Sequence, residues 1–116
     1  MALISSFFPA LSGLRAASIR QDVSAHNVAN VNTDGFKASR VVQSEAPAGG
    51  GTEVSDIRPT GAPAVFYMQQ GEVTEGSNVD LAKEITGQIG ALRSFQASLA
   101  TLRSSDEITG DLLDAL

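Results

Sequence analysis

Apolar residues return every seven positions at both ends of this chain, and little else in the sequence constrains its fold as tightly. Near the C-terminus, Ile85, Leu92, Leu99 and Leu113 form one column, and Leu81, Phe95, Leu102 and Leu116 form a second. Near the N-terminus the columns are Ile4, Leu11, Ser18 and Ala25, and Phe7, Leu14, Gln21 and Val28. Two apolar positions per seven is the pattern of helices that pair along a seam. Pro9 is tolerated only in a first helical turn, so the first helix is expected to start between Ser6 and Pro9 and to end at Asn30 to Asn32. The second is expected from about Val79 to Leu113, capped by Ser77 or Asn78, with Asp80 favoured in the first turn by the helix dipole. The expected fold is therefore mainly α. Two long terminal helices pair as an antiparallel coiled coil, with a small β-hairpin and loop region between them. Pairing would bury Leu14 near Leu99 to Leu102 and leave Ala16, Ala17, Gln96, Ala97, Ser98 and Ala100 outside. Gly87 and Gly90 each cost about 1 kcal/mol against alanine in a helix, so they are expected to mark close approach of another helix.

Between the seams the texture changes. Residues 37–44 read as extended around Val41 and Val42, and 52–57 and 64–68 give two more short extended candidates. The Gly-rich run 46–51 is a loop and 59–63 a turn. Neither opens a helix with a following Lys-Ser/Thr, so the Gly-rich run is no phosphate cradle. Three regions result: 1–36, 37–76 and 77–116. A middle this short makes at most a small hairpin or a three-stranded patch, marginal on its own.

Composition narrows the function. The net charge of −5 and scattered basic residues argue against nucleic-acid binding. No cysteine exists to supply a disulfide, thiolate or metal ligand, and His26 is the single histidine. A catalytic triad or zinc site would rest on that one residue, which is read as an ordinary helix-surface side chain. Asp80 and Glu84 share a helix face, but at a helix start they serve the dipole. No enzyme, cofactor, metal site or small-molecule substrate is expected. The apolar first residues are too short to span a bilayer and lack a positive n-region, so they are read as mature structure rather than signal peptide or membrane span.

The densest local signal is Ala-His-Asn-Val-Ala-Asn-Val-Asn-Thr-Asp-Gly-Phe-Lys at 25–37. Asn27 and Asn30 share a helix face, and asparagine is a mediocre helix former whose amide both donates and accepts. The segment Leu14 to Lys37 resembles the N-terminal signature of the bacterial flagellar basal-body rod and hook proteins: Asn27, Asn30, Asn32, Thr33, Gly35, Phe36 and Lys37 fit it in turn. Ser77-Asn78-Val79-Asp80-Leu81-Ala82, followed by a long amphipathic helix, is similar to that family's C-terminal segment. The short middle points to the small proximal-rod members, since longer members carry extra β domains there.

The resemblance implies a structural subunit that assembles with copies of itself and other rod subunits into a hollow shaft transmitting torque. It also implies export by the flagellar type III apparatus without a cleaved signal, with the short apolar N-terminus as the export-recognition and early-assembly segment. The expected assembly residues are Leu11, Leu14, Asn27, Asn30, Asn32, Thr33, Gly35, Phe36, Asn78, Leu81, Ile85, Leu92, Phe95, Leu99 and Leu102. The rival is a soluble helical-hairpin adaptor or secretion chaperone binding a partner helix.

Overall fold

The computed structural model describes residues 6–116; Ile4 of the first heptad column lies outside the described residues, as do the first five residues of the proposed export segment. Helix α1 runs Phe7–Ala29, with Pro9 inside its first turn as its missing N–H requires. Helix α2 runs Leu81–Asp114 and spans about 51 Å at ~1.5 Å per residue. Its N-cap is Asp80, whose carboxylate accepts from the Lys83 N–H at 3.2 Å. Ser77 and Asn78, the expected caps, do other work. The Ser77 hydroxyl accepts from the Val79 N–H, and the Asn78 amide turns toward the β region.

Between the helices lie two separate antiparallel hairpins rather than one hairpin or a three-stranded patch. The first pairs β1 (Ser39–Glu45) with β2 (Thr52–Pro59). A bulge at Ser55 shifts its register between Val42 and Gln43. Its tip folds back onto α1: the Thr52 N–H donates to Ser12 Oγ at 3.1 Å. Gly51, at φ +92°, lies so close to Pro9 that an added Cβ would come within 2.7 Å of its Cα. The second hairpin pairs β3 (Phe66–Gln69) with β4 (Glu72–Glu75) through a two-residue turn at Gln70 and Gly71, both at positive φ.

The helices lie side by side in opposite directions, but they are not the expected coiled coil. Residues of the predicted seams face outward: Ile85 is 49% exposed and Leu92 53%, and Leu11, Leu81 and Phe95 are exposed as well. Leu14, Leu99 and Leu102 are only half-buried. The actual contact runs along the neighbouring positions. Ala10, Ala17 and Ser24 of α1 are buried, as are Ala91 and Ser105 of α2. Ser6 Oγ and Ser105 Oγ are 2.7 Å apart, and Ser24 Oγ donates to Glu84 Oε2 at 2.7 Å. Gln88 Nε2 in turn donates to Ser24 Oγ.

The reason is steric. A Cβ on Gly13 would stand 2.5 Å from Ser98 Oγ, so the backbones come closer than leucine pairs would permit. Ala16 and Ala17, expected outside, are 3% exposed each, while Gln96, Ala97 and Ala100 are exposed and Ser98 is half-buried. Gly87 and Gly90 are not the close approach. Nothing described comes within 4 Å of a Cβ on Gly87, and Gly90 meets only the Arg20 guanidinium.

The product is a plank of 78 × 23 × 14 Å. Its radius of gyration is 19.7 Å, against about 13 Å for a compact domain of this length. Among the described residues, the buried apolar ones are all alanines: Ala10, Ala16, Ala17, Ala38 and Ala91.

Candidate functional site

Two asparagine side chains join the helix pair to the first hairpin. Asn27, near the end of α1, is 1% exposed. Its amide nitrogen donates to the Ser39 carbonyl at 2.8 Å, and its amide oxygen accepts from the Ser39 N–H at 2.9 Å. The same nitrogen reaches Glu84 Oε1 on α2 at 3.1 Å. Asn78 does the equivalent from the other side. Its oxygen accepts from the Ala38 N–H at 2.6 Å, and its nitrogen donates to the carbonyls of Thr60 and Ala62. Each amide substitutes for a strand neighbour, giving backbone groups at a chain junction the partners they need when buried. Among the described residues, no buried side-chain nitrogen or oxygen lacks a hydrogen bond.

The other motif residues shape the turn. Asn30 Nδ2 donates to the His26 carbonyl at 2.9 Å and Asn30 Oδ1 accepts from the Thr33 hydroxyl, closing the C-terminus of α1. The Gly35 N–H donates to the Glu75 carbonyl at 2.9 Å, which ties the turn to β4. Lys37 forms an ion pair with Glu75, and the Tyr67 hydroxyl donates to the Asp34 carboxylate. That bond to a carboxylate holds the Tyr67 phenol above its ordinary pKa. Phe36 stacks edge-on against His26 with ring centroids 5.6 Å apart, and Asn32 is exposed. Asn27 and Asn30 therefore separate in role. The first is a buried clamp and the second a helix stop.

Ser24, Gln88, Ser39 and Tyr67 escaped the reading of the sequence, because each acts through a partner distant along the chain. Glu84 is engaged by Ser24 and Asn27 rather than by the dipole alone. Among the described residues no group of three His, Asp or Glu side chains is arranged to hold a metal, and no helix is long and apolar enough to cross a membrane.

The second feature is a face. Part of the predicted seams walls two open grooves on the helix pair instead of closing a core. Ile85, Ile89, Leu92 and Phe95 line one opposite Ala17, Ser18 and Gln21, and Phe7, Phe8, Leu11 and Leu102 line the other with Arg103 and Asp106. Large apolar side chains left open together are the kind of patch that marks interaction surfaces.

Family likeness covers both ends of the chain. Residues 10–37, the α1 contact and the asparagine turn, match the family described as "Flagella basal body rod protein". Residues 69–115, the β4 hairpin and α2, match "Flagellar basal body rod FlgEFG protein C-terminal". The chain is 33% identical to the flagellar basal-body rod protein FlgC of Escherichia coli O6:H1, with 90% of each chain covered. It is 34% identical to FlgC of Yersinia enterocolitica, covering 93% of each. With FlgC of Salmonella typhimurium the identity is 32% over 90% of each. Similarity of this extent, running through both helices and the turn between α1 and the first hairpin, shows that the chain belongs to the flagellar basal-body rod protein family.

Proposed function

We propose that this chain is a structural subunit of the flagellar rod, packing against copies of itself and sister subunits through the open face of its helix pair. The observation that carries the reading is the exposure of Ile85, Ile89, Leu92 and Phe95 along one groove of an otherwise ordered helix pair. Burying the part of each such side chain that remains open is worth about 1 kcal/mol, a gain that a neighbouring molecule would supply. Assembly by a contact that joins different patches on successive copies, with a rotation and a rise, builds a tube. The tube bears torque as a shared load over many helix contacts, and the protein performs no chemistry. The asparagine clamps keep the first hairpin at a fixed attitude to the helices, so that each subunit enters the tube in one shape. Delivery is by the flagellar type III export apparatus.

The test is a strain lacking the gene and carrying a tagged copy. The tag is expected in purified basal bodies, with swimming restored; restored swimming with the tag confined to the cytoplasm would instead identify an adaptor. Hydrogen exchange on dilute protein gives a second arm. Weak protection over residues 80–105 fits a subunit completed by neighbours, and strong protection fits a self-sufficient adaptor.

A further inference from the structure

One dipeptide of the chain is chemically labile, and the fold restrains both of its reacting groups from the same side. Asp34-Gly35 is the single aspartate or asparagine followed by glycine. The turn requires that glycine. Gly35 sits at φ +71°, and the Phe36 N–H donates to the Thr33 carbonyl at 3.2 Å, closing a tight turn over 33–36. Nothing described lies within 4 Å of a Cβ placed there, so the backbone angle and not crowding sets the residue. The second hairpin supplies the restraints. The Gly35 N–H donates to the Glu75 carbonyl at 2.9 Å, and the Tyr67 hydroxyl donates to the Asp34 carboxylate. No residue of β3 or β4 is buried, and Phe66, Met68 and Val73 are exposed. The hairpin therefore rests on the turn through polar ties, the Lys37–Glu75 ion pair among them, rather than through a core. An element held in this way opens transiently while the rest of the chain stays folded.

We propose that Asp34 is a site of spontaneous isoaspartate formation and that the second hairpin gates it. In the reaction the Gly35 nitrogen attacks Asp34 Cγ. A C–N bond forms, the C–O bond of the neutral carboxyl breaks, and its hydroxyl leaves with the amide proton as water. Solvent water then opens the five-membered imide. Opening at the main-chain carbonyl routes the backbone through the Asp34 side chain and leaves a free α-carboxylate. With the hairpin closed, this attack meets two obstacles. The hydrogen bond to Glu75 holds the Gly35 proton and fixes the peptide plane, which must rotate to aim the nitrogen at Cγ. The bond from Tyr67 turns the carboxyl toward β3 and away from its own main chain. Opening the hairpin frees both groups at once. Conversion adds one methylene to the main chain of the turn, so the ties to Glu75 and Tyr67 do not re-form.

The test is ageing of the full chain at neutral pH, native and in guanidinium chloride, followed by mapping of the tryptic peptide 21–37. Isoaspartate gives a peptide of unchanged mass and displaced elution, assigned to its position by fragmentation. Deamidation of Asn27, Asn30 or Asn32 in the same peptide changes the mass and is told apart. Isoaspartate is expected at Asp34 in the denatured chain, and about tenfold or more slowly in the native one. Tyr67→Phe and Lys37→Ala, checked for helicity by circular dichroism, are each expected to raise the native rate severalfold and leave the denatured rate unchanged. Asp34→Glu is expected to abolish the product, since the larger ring closes far less readily. Equal rates in native and denatured protein, a native rate unmoved by both hairpin variants, or no isoaspartate at position 34 in denaturant overturns the proposal. The assembly reading stands apart from all of these outcomes, because basal-body co-purification tests it separately.

Discussion

Asn27 and Ser39 exchange two hydrogen bonds, side-chain amide to main chain, as two residues on adjacent strands would exchange them. A side chain on a helix thus acts as the missing strand edge where β1 begins. Replacing Asn27 by alanine leaves the N–H and carbonyl of Ser39 and one oxygen of Glu84 without this partner. The expected loss is about 2–4 kcal/mol, read as a lower urea midpoint. Asn27→Asp keeps the shape but removes both donated bonds and sets a carboxylate beside Glu84, so it is expected to be the more damaging. Faster exchange of the Ser39 amide in both variants locates the effect.

Two glycines on the helices should respond in opposite ways. Gly13→Leu drives a side chain into Ser98 and forces the helices apart, at an expected cost of about 1–3 kcal/mol. Gly87→Ala meets open space and is expected to gain about 1 kcal/mol from helix propensity. Thermal unfolding of the two variants beside wild type decides it.

Leu92 separates a surface residue from a core residue. As a seam residue of a buried coiled coil its truncation would cost about 2–5 kcal/mol. As an exposed residue of the open face, Leu92→Ser is expected to change the stability of the isolated chain by no more than about 0.5 kcal/mol. Swimming and recovery in basal bodies are expected to fail all the same. Normal motility with Leu92→Ser and Ile85→Ser combined would remove the open face from the account.

Tyr67 is the single tyrosine and there is no tryptophan, so its ultraviolet titration can be followed without interference. Its hydroxyl donates to the Asp34 carboxylate, which raises the phenol pKa above the usual value of about 10. A raised folded-state value means the bond's contribution is complete below the unfolded phenol pKa and is lost as pH climbs through the folded one. The second hairpin is therefore expected to loosen from the α1 turn only in alkali. Asp34→Asn should bring the titration midpoint down toward that of a free tyrosine; an unmoved midpoint would show that Asp34 is not the cause.

The helices were legible because their signals are local: Pro9 in a first turn and apolar spacing with a helical period; the cap of α2 was read too early, at Ser77 or Asn78 rather than Asp80. Which face turns inward was not. Periodicity states which residues share a side, and it favours the bulky ones. Here Ala10, Gly13, Ala17 and Ser24 let the backbones approach closely, and hydrogen bonds from Ser24 to Glu84 and between Ser6 and Ser105 hold them there. Strand β4 was missed because Glu72-Val73-Thr74-Glu75 is half acidic; the readable signal was the turn at Gln70-Gly71. The asparagine run was visible as a unit, but its division of labour was not. Asn27 finds its partners in backbone twelve residues onward and in a side chain on the other helix, and only the folded chain brings those together.

An interior lined by alanine has a mechanical corollary. Each methyl released to water forfeits little, so on the proposed export route a machine feeding this plank lengthwise through a narrow conduit would meet little resistance from its alanine interior. In the proposed assembly, rigidity would then come from the neighbouring subunits.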